Sequence, residues 1–95
     1  MSDVVHVPGQ NRFELREGDA ADEVAVLTYE RGDDPADQSV ALLHTVVPTS
    51  LAGRGVGSRL VETAVRWARD EQLEVVPVCT FVQGWLKRHP DALQA

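Results

Sequence analysis

The 95-residue chain predicts an α+β fold, a single domain in which one mixed sheet is layered with helices in the order β–β–β–α–β–α. Three observations predict it. "NRFELREG" alternates, with Phe13 and Leu15 on one side and Arg12, Glu14 and Arg16 on the other, as a half-buried strand does. From Val56 to Ala68 the apolar residues, among them Leu60, Val61, Ala64 and Val65, fall on one half of a helical wheel. β-branched apolar segments lie on both sides of that helix in sequence, so the two strands are read as parallel, joined by a right-handed crossover.

The elements follow in order along a domain spanning residues 1–95, with 1–9 and 93–95 expected as flexible ends and His6 inside the first of them. After the first strand, "GDAAD" reads as a turn and "EVAVLTYE" as a second strand. "RGDDPADQ" is a loop by composition. "SVALLHTVV" is apolar on both faces, the pattern of an interior strand, and Pro48 ends it. The helix from Val56 comes next, followed by the short strand "LEVVPV". Thr80 is placed to cap a last helix, "FVQGWLKRH", with Phe81, Val82, Trp85 and Leu86 as its buried stripe and Pro90 as its stop.

Composition narrows the function classes. Hydrophobic residues make up 43% and charged residues 25%, the balance of a soluble globular domain. No apolar run approaches the ~20 residues of a membrane helix, and "MSDVVHVPGQ" is not a signal peptide, so a cytoplasmic location without membrane association is expected. The net charge of −6 argues against nucleic-acid binding. Residues 1–40 hold ten acids against three arginines, whereas the remainder is close to neutral. That asymmetry reads either as a solvated acidic face or as a cation-attracting surface beside an anion site. The single cysteine, Cys79, forms no internal disulfide, and no ligand cluster for a metal is present in the sequence.

"HTVVPTSLAGRGVGSRL" carries the strongest functional signal. Gly53, Gly55 and Gly57 stand where the interior strand hands over to the long helix. The first turn of a helix has unpaired N–H groups and a partial positive charge, and glycine lets a ligand approach the backbone closely. The backbone of Gly53, Arg54, Gly55, Val56, Gly57 and Ser58 therefore suits a diphosphate, with Arg54 and Arg59 adding charge. A P-loop is excluded by the missing Gly-Lys-Ser/Thr, and the dinucleotide fingerprint fails because its third glycine falls on Ser58 or Leu60. A tight strand–helix connection accounts for the glycines equally well.

This stretch resembles the coenzyme A loop of the GNAT acyltransferases, Gln/Arg-x-x-Gly-x-Gly/Ala at the start of a helix. Gly55 and Gly57 match its small positions, while Ala52 stands where Gln or Arg is usual. With "VVPVCTFV" and "WLKRHPD" included, residues 10–92 are similar to minimal GNAT-like N-acetyltransferases of the YjdJ type. The resemblance implies a GNAT-like fold and the binding of acetyl-coenzyme A as co-substrate, with no metal. It also implies transfer to an amine acceptor of unknown identity, a small molecule or a protein lysine. It places the proposed catalytic histidine and cysteine on His44 and Cys79.

Pro48 and Pro77 cannot donate ladder hydrogen bonds, so the strands around Val46 and Val76 are expected to separate there, unless each proline merely ends an edge strand. Main chain at Val46 and Val47 is then free to pair with pantetheine. His44 suits proton transfer near neutral pH. Cys79, ahead of the last helix, reads as a transient acetyl acceptor, an acid toward the leaving thiolate, or a small buried apolar residue. Lys87 and Arg88 either reach adenosine phosphates or complement the helix dipole. His89 reads as a helix-end or phosphate contact. A non-catalytic coenzyme A-binding module and a purely structural interaction domain are the alternatives, and the oligomeric state is expected to be a monomer or weak dimer.

Overall fold

The computed structural model describes residues 4–16, 23–32, 38–53 and 55–92. Its five strands are β1 (Val4–Val7), β2 (Arg12–Leu15), β3 (Ala25–Arg31), β4 (Ser39–Val46) and β5 (Glu74–Pro77). Helix α1 (Val56–Asp70) joins β4 to β5, and α2 (Thr80–Arg88) follows. The strands lie side by side in chain order, antiparallel except for the parallel pair β4–β5. The architecture is the expected α+β layering. The expected turn at residues 18–22 and most of the acidic loop, residues 33–37, lie outside the described residues.

The order gains one element, becoming β–β–β–β–α–β–α, because Val4–Val7 form a strand instead of a flexible end. The residues of this strand, "VVHV", do not alternate as those of β2 do. It is held by its hairpin with β2, closed by a 3-10 turn over Pro8–Gln10 and by Asn11 in the left-handed region (φ 53°). It is also held by its histidine. His6 stacks on Phe13 with ring centroids 4.3 Å apart, its Nε2 is 2.6 Å from the Tyr29 hydroxyl, and Trp67 closes the cluster edge-on at 4.9 Å. Trp67, expected inside with the apolar half of α1, is half-buried in this cluster, and the Arg31 guanidinium stands over it.

Alternation decides which face of the sheet is buried. Phe13, Leu15, Ala25, Leu27, Tyr29, Val40 and Leu42 point to one face and are at most 4% exposed. Both helices pack on that face, α1 across all five strands and α2 against β4, β5 and α1. The apolar half of α1 and Val82 and Trp85 of α2 complete the core. The partners that pair with Arg12, Glu14, Val26 and Thr28 point the other way, and no described helix covers that face.

Register changes once, and the change matters for the site. Tyr29 pairs with Leu42 but Thr28 pairs with His44, so Leu43 is an extra residue in β4. The bulge reverses the parity of everything after it. Even-numbered Val40 and Leu42 are buried, whereas even-numbered His44 and Val46 emerge on the uncovered face. Odd-numbered Thr45 turns toward the helices, opposite buried Leu27.

Candidate functional site

β4 and β5 are paired only from Ser39 opposite Glu74 to Leu42 opposite Pro77. The last act of the pairing is the Leu42 carbonyl, which accepts from the amides of both Val78 (3.1 Å) and Cys79 (3.0 Å). Beyond it β4 runs on to Val46 with β3 alone, while the other chain turns away into α2. Pro77 does not cause the parting: the amide that donates to Leu42 is that of Val78, so the missing N–H of Pro77 points to the open edge of the sheet, and its carbonyl accepts from the Gln83 side-chain amide at 2.8 Å. β5 is an edge strand, so the edge-strand reading of this proline holds, and the pairing ends where the Leu42 carbonyl takes both amides and the bulge at Leu43 begins.

The glycine turn stands where β4 is connected to α1. Gly53 (φ 81°) and Gly55 (φ 71°) are left-handed, a conformation that costs any other L-residue about 1–2 kcal/mol. A Cβ at either would meet nothing within 4 Å, so the turn is open on that side. Gly55 is the N-cap of α1 and offers no side chain to its amides, and no acid lies in the first turn. The first backbone bond from this turn is Arg59 N–H to the Gly55 carbonyl at 3.1 Å, which leaves the amides of Val56, Gly57 and Ser58 without intrahelical partners. These features fit a diphosphate. Arg54 lies outside the described residues.

Gly57 has a different reason for being glycine. It is buried, and a Cβ there would lie 2.9 Å from Cζ of Phe81. Helix–helix packing requires it, not ligand approach. Phe81 itself, expected in the core stripe of α2, is 40% exposed, its ring over the first turn of α1. Trp85 is buried as expected.

Cys79, and not Thr80, is the N-cap residue of α2. Its sulfur is 3.7 Å from Thr45 Oγ1, at the opening between the strands. Burial raises the thiol pKa, but the Val82 amide, the Thr45 hydroxyl and the amides of Phe81 and Thr45 face the sulfur and outweigh it. The net effect holds Cys79 below the usual thiol range, although its side chain closes no regular capping bond. Thr45 is a site residue that sequence reasoning missed. Only the bulge turns it toward the sulfur, and no spacing motif announces a bulge.

The expected residues are brought together in part. His44 is exposed and shares the uncovered face with Thr28, while Cys79 reaches Thr45 on the helical face, so the two flank the opening from opposite sides. Val46 and Val47 follow on the freed end of β4, with Val46 57% exposed. Lys87 and Arg88 are not brought to the glycine turn. They occupy the last turn of α2, about 10 Å along the helix from Phe81. There Arg88 lines a groove of about 510 Å³ between the helices with Arg66 and Arg69. His89 stacks on Trp85 at 4.1 Å and pairs its Nδ1 with the Trp85 carbonyl, a helix-end contact. Among the described residues no cluster of three metal-ligating side chains occurs, and no helix is long and apolar enough to cross a membrane.

Comparison with known proteins gives this geometry a context. Residues 12–95 match a family model described as GCN5-related N-acetyl-transferase. Protein NATD1 of Xenopus tropicalis and of Mus musculus is 31% identical over 87 residues, covering 92% of this chain and 76% of each relative. The human form is equally similar, with 74% of its length covered. The solution structure of a GCN5-like protein from Staphylococcus aureus superimposes with a TM-score of 0.68 at 27% identity, over 99% of this chain and 87% of that one.

Proposed function

The chain belongs to the GCN5-related N-acetyltransferases, and on that premise we propose that it is a minimal, YjdJ-type member that moves an acetyl group from acetyl-coenzyme A to an amine. The observation that carries this reading is the parting of β4 and β5 at Leu42 and Pro77, beside the uncapped first turn of α1. The backbone of residues 53–58 binds the diphosphate, and the dipole of α1 favours its charge. Main chain of Val46 and Val47 at the freed end of β4 pairs with the pantetheine amides. The thioester then comes to rest near Thr45 and Cys79. Lys87 and Arg88 stay in the proposal only as side chains reaching toward the adenosine end.

The acceptor amine arrives on the face that carries His44. Its nitrogen attacks the thioester carbonyl and forms the new C–N bond. His44 takes the proton that the nitrogen must lose, and the C–S bond breaks to release coenzyme A. A thiol more acidic than usual gives its proton readily to the departing thiolate, so Cys79 serves there as an acid, and direct attack needs no acetyl-cysteine. His44→Ala is expected to lower turnover by roughly 10²–10⁴-fold while coenzyme A affinity, read by calorimetry, is retained. Undiminished turnover would remove His44 from the mechanism. Tight coenzyme A binding with no turnover on any amine would make the protein a binding module, and undiminished affinity in Gly55→Asp would mean that the phosphates bind elsewhere.

A further inference from the structure

We propose that Phe81 is a further donor-binding residue whose exposed ring receives the branched dimethyl group of the pantoate unit, so that the protein selects its donor by that unit as well as by the diphosphate. This rests on the acetyltransfer reading and adds to it the part of the donor recognised between its two ends. Phe81 spans those ends. Its backbone amide faces the Cys79 sulfur, near which the thioester comes to rest. Its ring reaches the first turn of α1, with Cζ, Cε1 and Cε2 at 2.9, 3.2 and 3.5 Å from where a Cβ on Gly57 would stand. The amides of Val56, Gly57 and Ser58, without intrahelical partners, belong to that same turn.

Burial and chemistry select what the ring meets. Val82 and Trp85 of α2 are buried in the core, whereas Phe81 is 40% exposed. Gly57 is buried in α1, and the ring occupies the space that its missing Cβ leaves. The chain thus gives up helix propensity at Gly57 to seat a ring that stays partly in water. That apolar area is removed from water only when a ligand covers it. In coenzyme A the diphosphate is bonded on one side to adenosine and on the other to pantoate, from which the arm runs on to the thiol. Phe81 lies on the thiol side of the turn, because its own amide is at the Cys79 sulfur. Its ring therefore meets pantoate and not adenine. The methyl groups of pantoate are the apolar part of the arm nearest the diphosphate, and main-chain hydrogen bonds cannot read them.

The test titrates the full chain by calorimetry with coenzyme A and with an analogue whose pantoate methyl groups are replaced by hydrogen. Wild type is expected to bind coenzyme A at least about fivefold more tightly than the analogue. Phe81→Ala should lose that preference, weakening coenzyme A at least about fivefold while leaving the analogue within about twofold of its wild-type affinity. Both ligands require the same fold, so the ratio of their affinities cancels any loss of folded protein, and the wild-type comparison needs no variant at all. Equal affinity of wild type for the two ligands overturns the inference. An equal loss for both in Phe81→Ala also overturns it, because the ring would then only support the turn or meet adenine. No binding of coenzyme A at all overturns the acetyltransfer reading, and this inference with it.

Discussion

Gly57→Ala isolates what the third glycine of the turn is for. The new Cβ would stand 2.9 Å from Phe81 Cζ and 3.2 Å from Cε1, closer than packed carbons tolerate. Against that, alanine is favoured over glycine in a helix, by up to about 1 kcal/mol in an interior and by less in a first turn such as this. The ring is 40% exposed, so it can swing out, giving up part of the 1.5–3 kcal/mol that a fully buried phenylalanine contributes, on the order of 1–2 kcal/mol. The two terms nearly cancel, and Gly57→Ala alone should change stability by less than about 1 kcal/mol. In a Phe81→Ala background only the propensity gain remains, and the same change should stabilise by up to about 1 kcal/mol. The interaction energy of the cycle is therefore about 1–2 kcal/mol, measurable by urea titration followed through Trp67 and Trp85 fluorescence. Equal effects of Gly57→Ala in both backgrounds, within about 0.3 kcal/mol, would refute the packing reason and return Gly57 to the ligand cradle.

Gly55→Ala should destabilise by about 1–2 kcal/mol in the same titration, because its φ of 71° remains left-handed whatever replaces it. Burial lowers the pKa of His6 in the native state, so below the unfolded value of about 6.5 the unfolded chain binds more protons. The stabilisation from His6 is thus complete above pH 6.5 and is lost as pH falls through the native value. The stability difference between wild type and His6→Phe should shift against wild type between pH 7.5 and 5.5, and a pH-independent difference would contradict this. Iodoacetamide should alkylate Cys79 at a pH below that expected of an ordinary thiol, and Thr45→Val should move the profile upward by removing a hydroxyl that faces the sulfur. Cys79→Ser should keep much of the turnover, and an acetylated Cys79 that forms and decays at a competent rate would show a covalent route instead.

β2 and both helices were legible in the sequence by their period and β3, β4 and β5 by their β-branched apolar composition, whereas the cause of the parting was not, because Pro77 only marks β5 as an edge strand. β1 was not legible. "VVHV" does not alternate, and the contact that retains it, His6 on Phe13 and Tyr29, spans two strand pairings. The glycine turn was recognisable as a whole but not resolvable by position. Gly53 and Gly55 answer to backbone conformation and Gly57 to a ring 24 residues further along the chain, and one letter stands for both demands.

Residue chemistry and local period alone determine that this chain builds a layered sheet with a basic-flanked, glycine-opened helix after an interior strand. Only the tertiary structure decides that His44 faces out, that Thr45 faces Cys79, and that Lys87 and Arg88 stand away from the turn. The physical reason is that side-chain direction in a strand depends on counting residues from a fixed partner. A single extra residue at Leu43 changes the count, and only the pairing with β3 records it.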